Sequence, residues 1–458
     1  MKSSDDALLN SWGETLARKG DVGAIFETSG EVSRTFTEIE TQAREFERKI
    51  DMFEVDSVLA IQIGNHPDWP AILLACFRRG VVVLPLEQSI SERERHVALK
   101  ICRASGLISD GVHKIGNQAS PEWGTNPPSL LKLTSGTTAA PRVIRFRGEQ
   151  LLADCDQISE TMGICDVDLN FGVIPISHSY GFSNLLTPLI AHGVPMVLSC
   201  DRVPRAVLVD LGRTNATVFP GTPVFYQAFC EMENVPVLPS LRLCISAGAP
   251  LSATVARRFF DEFKQPIHSF YGSSECGGIC YDPDGKAFED GFVGTSMNDV
   301  DLAFFDPTAK LGQVRVRSAA VGDGYFPEPD EEKLGSGIFT PDDLLARCGD
   351  GFKIVGRISD LINVAGKKVN PAQIEEQLLQ FAGVREAIAF GRKSSQRNEE
   401  VAACVITNGK VSAAELIESC RTRLSAWQVP KQIFIVDEIP VNERGKISRR
   451  ELARRFGE

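Results

Sequence analysis

Residues 134–142 are Thr134-Ser135-Gly136-Thr137-Thr138-Ala139-Ala140-Pro141-Arg142. They follow the apolar run Leu130–Leu133, and together the two segments predict a strand that leads into a short loop rich in backbone and hydroxyl donors. Converging N–H and O–H groups suit an oxyanion such as phosphate, and Gly136 lets the backbone come close to it. The spacing does not match a Walker loop. Taken alone, the stretch also fits a surface turn, so the rest of the chain has to decide.

Length, composition and charge limit the class of protein. The chain has 458 residues, of which 43% are hydrophobic, and a formal net charge of -11. This predicts two or three globular domains and argues against binding to nucleic acid or to anionic membranes. No apolar run is long enough to span a membrane and the N-terminus has no signal-peptide pattern, so we expect a cytoplasmic protein. The twelve cysteines are scattered, which favours buried free thiols over a zinc site.

The first part of the chain alternates strand and helix patterns. Thr37 and Glu40 have the spacing of a capping box, and the apolar positions that follow fall on one face of a helix. Residues 58–63 predict a strand, residues 69–79 a helix that stops at a glycine, and residues 81–84 the next strand. This β-α-β order predicts an α/β architecture.

Later segments extend this pattern and then change it. Further short strands are predicted at residues 171–175, 196–199, 217–219 and 241–246. From about residue 294, alternating segments such as residues 313–317 predict a small β subdomain. After Arg357, the sequence predicts a second small α/β domain. Its elements are a helix that begins at Pro371 with Ile374, Leu378 and Leu379, strands at residues 387–390 and 402–406, and a helix from Ser412 to about Leu424.

Six short motifs follow one another in a fixed order. They resemble the motifs of the adenylate-forming superfamily, which comprises acyl- and aryl-CoA synthetases, luciferases and the adenylation domains of peptide synthetases. The chain is similar to T-S-G-T-T-G-x-P-K-G at 134–142, P-x-x-H-x-x-G at 175–181, S-G-G-A-P-L at 246–251, Y-G-x-T-E at 271–275, T-G-D-L…D-G-x…G-R up to Arg357, and P-x-x-x-x-G-K-I-x-R at 440–449. Each motif is only moderately specific, but six in order are highly specific.

The resemblance implies a fold and an activity. The expected fold is α/β, with a large N-terminal domain of α/β sheets plus a small β subdomain over residues 1–357, and a small mobile C-terminal α/β lid domain over residues 358–458. The expected reaction is ATP-dependent activation of a carboxylic acid to an acyl-adenylate with release of pyrophosphate, followed by thioester formation with coenzyme A. Mg²⁺ is expected to assist, because negative charge spreads over the phosphate oxygens.

The resemblance also assigns catalytic roles. Lys446 would bridge the carboxylate and the α-phosphate, and Ser274 would lie beside that phosphate. Glu275 would be the metal ligand, and His178 would form a wall between the nucleotide and the acyl pocket. The resemblance further implies a hinge at Ser359 for rotation of the lid.

The residues expected to bind the nucleotide are Thr134, Ser135, Gly136, Thr137, Thr138, Gly248, Ala249, Pro250, Tyr271, Gly272, Asp343 and Arg357. Tyr271 would lie against adenine, and Arg357 would bind ribose or phosphate. Asp343 would accept hydrogen bonds from ribose, although Asp342 keeps the T-x-D spacing of the motif and is an alternative.

Other features bear on the substrates. Residues 177–181 contain no carboxylate that could pair with an amine, which favours a carboxylic acid without an α-amino group. Gly366 lies in a stretch that resembles the lining of a pantetheine tunnel, where a thiol arm would pass. The acceptor is therefore coenzyme A or the phosphopantetheine arm of a carrier protein. Ala139, Ala140 and Val143 depart from the family's phosphate loop, which leaves a non-catalytic nucleotide-binding relative as a third alternative.

Overall fold

The structure is a computed structural model, and it describes residues 6–116, 120–134, 142–286, 291–394, 398–409, 411–440 and 449–456. The chain divides into two compact units. The larger unit comprises Met1–Ala309, Val314–Pro341 and Arg347–Lys353. The smaller unit comprises Lys310–Gln313, Asp342–Ala346 and Ile354–Glu458. Both units combine helices with sheets, so the predicted α/β class is confirmed.

The first sheet of the larger unit has a parallel centre and antiparallel edges. In spatial order its strands are Phe292–Ser296, Gly277–Tyr281, Ile267–Ser273, Leu243–Ser246, Val218–Gly221, Asn170–Gly172, Met196–Leu198, Gly23–Phe26 and Val32–Thr35. The order reverses at Asn170–Gly172, because Met196–Leu198 pairs with one of its sides and Val218–Gly221 with the other. In open α/β sheets, ligands bind outside the carboxyl ends of the strands at such a point.

The second sheet of the larger unit contains the predicted β-α-β segment. In spatial order its strands are Gly324–Phe326, Val143–Phe146, Leu130–Leu133, Val82–Pro85, Val58–Ile61, Ala104–Ile108 and Val112–Lys114. The helix Trp69–Arg79 has the predicted bounds and ends at Gly80, whose φ of 64° is the left-handed conformation that suits glycine. Side chains of these strands, such as Val58, Leu84 and Leu131, are buried in one apolar cluster with Trp123.

The helix Phe36–Lys49 begins two residues earlier than the capping-box spacing predicted. Its cap is formed by Thr35 and Glu38, not by Thr37 and Glu40. Both pairs have the same spacing, but starting at Phe36 places that ring in the core, where it is fully buried. The gain from burying an aromatic side chain therefore decides between two equivalent caps.

The remaining helices of the larger unit are Ala7–Lys19, Glu92–Ile101, Gly148–Met162, Ser179–Gly181, Thr187–His192, Pro204–Thr214, Pro223–Cys230 and Ala253–Phe263, with a π-helical turn at Phe182–Leu186. The strand predicted at residues 171–175 already ends at Gly172. Beyond it, the carbonyls of Gly172 and Ile174 accept hydrogen bonds from the Asn65 side chain, which replaces the ladder of a neighbouring strand.

Short strands occupy the region of the predicted β subdomain. They are Asp301–Phe304, Leu311–Arg317, Leu334–Gly335, Ile338–Phe339, Asp343–Cys348 and Gly351–Arg357. In the larger unit, Asp301–Phe304 pairs with the end of Leu311–Arg317. In the smaller unit, Leu311 pairs with Ala346.

The smaller unit packs helices on a mixed sheet. Its remaining strands are Ile362–Val364, Lys367–Val369, Val384–Ser394, Asn398–Thr407 and Gln432–Ile435, and its helices are Ile358–Asp360 (3₁₀), Pro371–Leu379, Ala413–Arg423 and Arg449–Phe456. The helix predicted at Pro371 is present, and Ile374 and Leu378 are buried. Leu379 is not part of this buried face, because its position on the helix leaves it 48% exposed.

Two features concern the whole described chain. Within the residues that the structure describes, no helix is long and apolar enough to cross a membrane. All twelve cysteines are described and have free thiols. Most are buried as predicted, but Cys165 and Cys200 are exposed.

Candidate active site

The predicted phosphate loop is closed at its base by backbone pairing. The strands Leu130–Leu133 and Val143–Phe146 run antiparallel, so the loop connects neighbouring strand ends. The N–H and hydroxyl of Thr134 both donate to the carbonyl of Arg142, at 2.9 and 3.0 Å. The rest of the predicted loop lies outside the described residues, including Ser135, Gly136, Thr137 and Thr138.

Glu275 is held in place at both its side chain and its backbone. It lies in the turn after the strand Ile267–Ser273. Ser273 donates a hydrogen bond to one carboxylate oxygen, and the Tyr325 hydroxyl donates to the other at 3.1 Å. The N–H of Gly322 donates to the Glu275 carbonyl at 2.9 Å. The direction of this carboxylate is therefore fixed before any ligand binds.

The hydrogen bonds to Glu275 are compatible with a role as a magnesium ligand at a nucleotide site. Mg²⁺ at nucleotide sites is held by one or two carboxylates together with phosphates and waters. Each Glu275 oxygen accepts one hydroxyl and keeps a further lone pair for a metal. Among the described side chains, no group of three or more His, Cys, Asp or Glu could hold a metal by itself. Glu275 thus fits a single protein ligand to a metal held mainly by phosphate.

Tyr325 is a site residue that no motif includes, and it contacts Arg142 at the end of the phosphate-loop motif. Arg142 lies over the Tyr325 ring, with its guanidinium carbon 4.3 Å from the ring centroid. Arg142 also forms a long ion pair with Asp330, at 3.7 Å. Burial and the neighbouring Glu275 raise the pKa of the Tyr325 hydroxyl, so it stays protonated and donates. Tyr325 is 50 residues from Glu275 in sequence, and no local pattern indicates the contact.

The P-x-x-H-x-x-G segment meets the Y-G-x-T-E segment through two serines. Ser179 donates to Ser274 at 2.9 Å, which brings the predicted α-phosphate neighbour beside the predicted pocket wall. His178 is exposed and caps the short helix Ser179–Gly181, because its Nδ1 accepts the N–H of Tyr180 at 3.4 Å. An acceptor role for Nδ1 is consistent with a wall residue.

Asn65 is a second positioning residue that the sequence analysis missed. Its side-chain amide donates to the carbonyls of Gly172, Ile174 and Ser199 at 3.1 to 3.3 Å. Its oxygen accepts the N–H of Ile176 at 2.9 Å. Asn65 therefore fixes the backbone from the end of the strand Asn170–Gly172 to the segment with His178.

Tyr180 lies at the carboxyl ends of two strands of the first sheet, near the point where the strand order reverses. Its hydroxyl donates to the carbonyls of Gly221 and Ile245, at 3.2 and 3.4 Å, at the carboxyl ends of two neighbouring strands. Its ring lies 5.9 Å from that of Phe270. Burial raises the pKa of the Tyr180 hydroxyl well above its usual range. Tyr180 therefore presents a neutral aromatic side chain at this end of the sheet.

Other predicted nucleotide ligands follow neighbouring strands of the same sheet. Gly248, Ala249 and Pro250 are exposed after the strand Leu243–Ser246. Tyr271 is buried in the strand Ile267–Ser273, whereas its neighbour Gly272 is exposed. A side chain at position 272 would come within 2.7 Å of the Gly277 carbonyl, so the close strand pairing there requires glycine.

The strand that leads into the predicted phosphate loop contains a buried lysine. Lys132, two positions before Thr134, is 6% exposed and its ammonium lies 4.6 Å from the Phe146 ring centroid. Burial lowers the pKa of Lys132, and the charge of Asp154 opposes this effect. Asp154 is itself buried and accepts hydrogen bonds from Ser183 at 2.5 Å and from the N–H of Gly278 at 3.0 Å.

The smaller unit contains the remaining predicted residues that are described. Asp343 and Arg357 bind each other at 2.8 Å, and Arg357 is largely exposed. Ser359 is exposed in the 3₁₀ turn Ile358–Asp360. Gly366 is exposed, has a φ of 87°, and donates its N–H to the Asn363 side chain at 3.0 Å. Lys446 lies outside the described residues.

Two family models match the chain. The model described as AMP-binding enzyme matches residues 109–326, and the model described as AMP-binding enzyme C-terminal domain matches residues 373–446. Together they cover more than half of the chain, in the expected order.

The chain belongs to the AMP-binding enzyme family. This is the adenylate-forming superfamily that the six motifs indicated, so the predicted resemblance is confirmed.

Curated relatives of this AMP-binding enzyme are named as CoA ligases or as acyl-CoA synthases. A probable CoA ligase, CCL9, of Humulus lupulus is 29% identical over 354 residues, covering 72% of this chain and 67% of that protein. A feruloyl-CoA synthase of an Amycolatopsis species is 27% identical over 430 residues, covering 86% and 87%. An oxalate–CoA ligase of Arabidopsis thaliana is 28% identical over 347 residues, covering 72% and 67%.

Solved structures share the fold of this AMP-binding enzyme. ATP-bound MatB from Rhodopseudomonas palustris has a TM-score of 0.85 and 21% sequence identity, covering 98% of this chain and 99% of that one. The o-succinylbenzoate CoA synthetase MenE from Bacillus subtilis, in complex with an acyl-adenylate, has a TM-score of 0.82 and 21% identity, covering 97% of both chains.

Proposed function

We propose that this AMP-binding enzyme is an acid–thiol ligase that converts a carboxylic acid, ATP and coenzyme A into an acyl-CoA, AMP and pyrophosphate. The main support from the geometry is the contact between Ser274 and Ser179, next to the clamped Glu275. These contacts gather the two central motifs at the carboxyl end of the first sheet. An acid–thiol ligase of the AMP-forming type is also what the family and its relatives indicate.

The first step forms an acyl-adenylate. A carboxylate oxygen of the acid attacks the α-phosphorus of ATP, and the bond from that phosphorus to the bridging oxygen breaks to release pyrophosphate. Catalysis of such a transfer depends on positioning and on charge stabilisation. We assign the donor beside the α-phosphate to Ser274 and the cation that bridges carboxylate and phosphate to Lys446. Glu275 would hold Mg²⁺, which would neutralise phosphate charge.

The second step forms the thioester. The sulfur of the thiol attacks the acyl carbon, AMP leaves with the electrons of the broken C–O bond, and the thiol proton passes to solvent. Gly366 is our candidate for the passage of the thiol arm. Its exposed position and positive φ are compatible with a backbone that lies against a narrow substrate.

The chemistry around Tyr180 narrows the acid. The segment 177–181 offers serine hydroxyls, an exposed imidazole and a half-buried phenol, and it contains no carboxylate. An α-ammonium group would find no counter-charge on this segment. We therefore infer an acid without an α-amino group. Coenzyme A is favoured over a carrier protein as the acceptor, because the relatives compared are named as CoA ligases.

ATP–pyrophosphate exchange tests the first step. The purified enzyme is offered a panel of dicarboxylic, aryl, short-chain and long-chain acids, with an α-amino acid series for comparison. Exchange with at least one acid and none of the amino acids is expected. Glu275→Gln tests the proposed metal ligand, because it keeps the shape of the side chain and removes its charge. It should lower exchange at limiting magnesium without loss of the folded state.

Thioester formation tests the second step. Each acid that supports exchange is incubated with ATP and either coenzyme A or a holo-carrier protein, and products are identified by mass spectrometry. An acyl-CoA product is expected. Acylation of the carrier protein alone would favour the second acceptor. ATP binding without exchange for any acid would favour the non-catalytic alternative.

A further inference from the structure

We infer that Tyr325 is a positioning residue that keeps Arg142, at the end of the phosphate loop, apart from Glu275 while holding both side chains in place. The inference rests on the proposed function and deepens it. No motif of the sequence analysis includes Tyr325. One side chain would then set the geometry of a phosphate-binding cation and of a metal-binding carboxylate.

The ring and the hydroxyl of Tyr325 make two different contacts. Its ring lies under the guanidinium of Arg142, 4.3 Å from ring centroid to guanidinium carbon. Its hydroxyl donates to Glu275 at 3.1 Å. A tyrosine has only two side-chain torsions, and this one is 3% exposed, so the distance between its contacts varies little. Cation–π attraction and a hydrogen bond to a carboxylate both stabilise this arrangement.

The backbone of Tyr325 is anchored to the same two segments. Its strand, Gly324–Phe326, pairs antiparallel with Val143–Phe146, the strand that leaves the phosphate loop. The N–H of Gly322 donates to the Glu275 carbonyl at 2.9 Å. Tyr325 is therefore fixed between the loop exit and the carboxylate by main-chain contacts as well as by its side chain.

A salt bridge two residues away strengthens this anchor. Asp323 accepts hydrogen bonds from Nε and Nη2 of Arg147, at 2.8 and 3.1 Å. Gln150 donates to Asp323 at 2.8 Å and to the Val321 carbonyl at 2.9 Å. These bonds therefore connect the segment 321–323 to the start of the helix Gly148–Met162. A displacement of Tyr325 would require several of these bonds to break.

The separation of charges follows from the position of the ring. Within the described part of the chain, Arg142 pairs with Asp330 at 3.7 Å and has no ion pair with Glu275. If Tyr325 were small, Arg142 and Glu275 could approach and pair. In such an ion pair, Arg142 would be less available to bind phosphate, and Glu275 would be less available to bind the metal. The Tyr325 ring instead occupies the position next to Arg142, and its hydroxyl gives Glu275 a neutral hydrogen-bond donor.

Two variants separate the two contacts. Tyr325→Phe keeps the ring and removes the hydroxyl, so metal binding should weaken while the interaction of Arg142 with pyrophosphate is retained. Tyr325→Leu removes both contacts. Tyr281→Phe is the matched control, because Tyr281 is a buried tyrosine of the first sheet whose ring stacks on His268.

The primary measurement is binding of Mn²⁺, as a spectroscopic substitute for Mg²⁺, to the ATP-saturated protein, followed by electron paramagnetic resonance. Tyr325→Phe should weaken Mn²⁺ binding about tenfold, the scale of one hydrogen bond to a charged group. The control should bind as the unaltered protein does. Unchanged Mn²⁺ binding in Tyr325→Phe would overturn the inference, and circular dichroism of each variant checks that it is folded.

Pyrophosphate exchange provides the second measurement. Tyr325→Phe should raise the magnesium concentration for half-maximal exchange and leave the KM for pyrophosphate unchanged, whereas Tyr325→Leu should raise both. Equal changes in both constants for Tyr325→Phe would indicate a general structural role and reject the inference. If the unaltered protein exchanges with no acid, the proposed function fails, and Mn²⁺ binding alone decides the role of Tyr325.

Discussion

In the larger unit, Ser274 and Glu275 are fixed by hydrogen bonds from side chains and backbone, whereas Ser359 and Gly366 in the smaller unit are exposed. The larger unit therefore holds its candidate groups in position before any substrate binds. In the smaller unit, Gly366 donates a hydrogen bond to the Asn363 side chain, and Arg357 donates one to Asp343. Preorganised donors are most effective where charge develops in a transition state, which is what adenylation requires.

We therefore expect adenylation and thioester formation to depend on different residues of the two units. Adenylation would rely on the hydrogen-bonded groups of the larger unit together with Lys446, Asp343 and Arg357. Thioester formation would rely on an exposed turn with a glycine at φ 87°. Substitution of a residue that holds the backbone of the larger unit, such as Asn65, should consequently affect binding and folding together, and substitutions of Lys446 or Ser359 should affect single steps.

Lys446→Ala should give the largest effect, because Lys446 is the residue proposed to bridge the carboxylate and the α-phosphate. We expect adenylate formation to fall by ~100-fold or more, the scale of losing one preorganised donor. Thioester formation from a supplied acyl-adenylate should change much less. The two half-reactions are measured separately, with the exposed Lys393→Ala as the control. Equal loss in both half-reactions with an intact fold would remove this role from Lys446.

Asn65→Ala should show the coupling of site and fold that is expected in the larger unit. Four hydrogen bonds to backbone groups would be lost, and those groups are partly buried. We expect a loss of about 2 kcal/mol in the free energy of unfolding and a higher KM for the acid. Urea unfolding and initial rates measure the two quantities, with the exposed Asn298→Ala as the control. A stable variant with a normal KM would contradict the assignment.

The sequence predicted correctly those helices and strands that are determined by residues close to each other in the chain. The helix Trp69–Arg79 has the predicted bounds because an apolar run ends at a glycine that adopts a left-handed conformation. The cap at Thr35 was missed because the same spacing recurs two residues later, and only burial of Phe36 separates the choices. Such a choice depends on distant residues that pack against the helix.

The candidate site shows the same limit. Motifs located Ser274, Glu275 and His178 because family motifs are short and contiguous. Asn65 and Tyr325 were not found, since their partners lie 107 and 50 residues away in sequence. A contact between residues so far apart in sequence depends on how the strands pair in the folded protein, and a local motif does not contain that information.

Ser359→Pro tests the mobility of the smaller unit's residues. Proline fixes φ and lacks an N–H, so the turn Ile358–Asp360 should lose freedom. We expect adenylate formation to survive and thioester formation to fall by about tenfold, equivalent to about 1.4 kcal/mol of barrier. Ser359→Ala is the control, since it keeps backbone freedom. Loss of neither step, or of adenylation alone, would place the hinge elsewhere.

Lys132→Met should have the smallest effect and addresses the interior of the larger unit. Burial lowers the pKa of Lys132 in the folded protein below its usual value of 10.5. Between the folded and unfolded pKa values, the unfolded chain binds more protons than the folded chain. This group therefore contributes stability that rises with pH in that window, and its cost is greatest below the folded pKa.

Methionine fills a similar volume and keeps the contact with Phe146, and Asp154 retains its bonds from Ser183 and Gly278. The variant should thus lose this rise in stability toward alkaline pH, with little change in adenylation. Urea midpoints at several pH values up to 10.5 measure the slope. Lys49→Met is the matched control, because Lys49 also lies 4.6 Å from a ring centroid, that of Phe46, but is exposed. Parallel pH profiles for Lys132→Met and the unaltered protein would show that the buried ammonium costs the fold nothing, and that Asp154 compensates it fully.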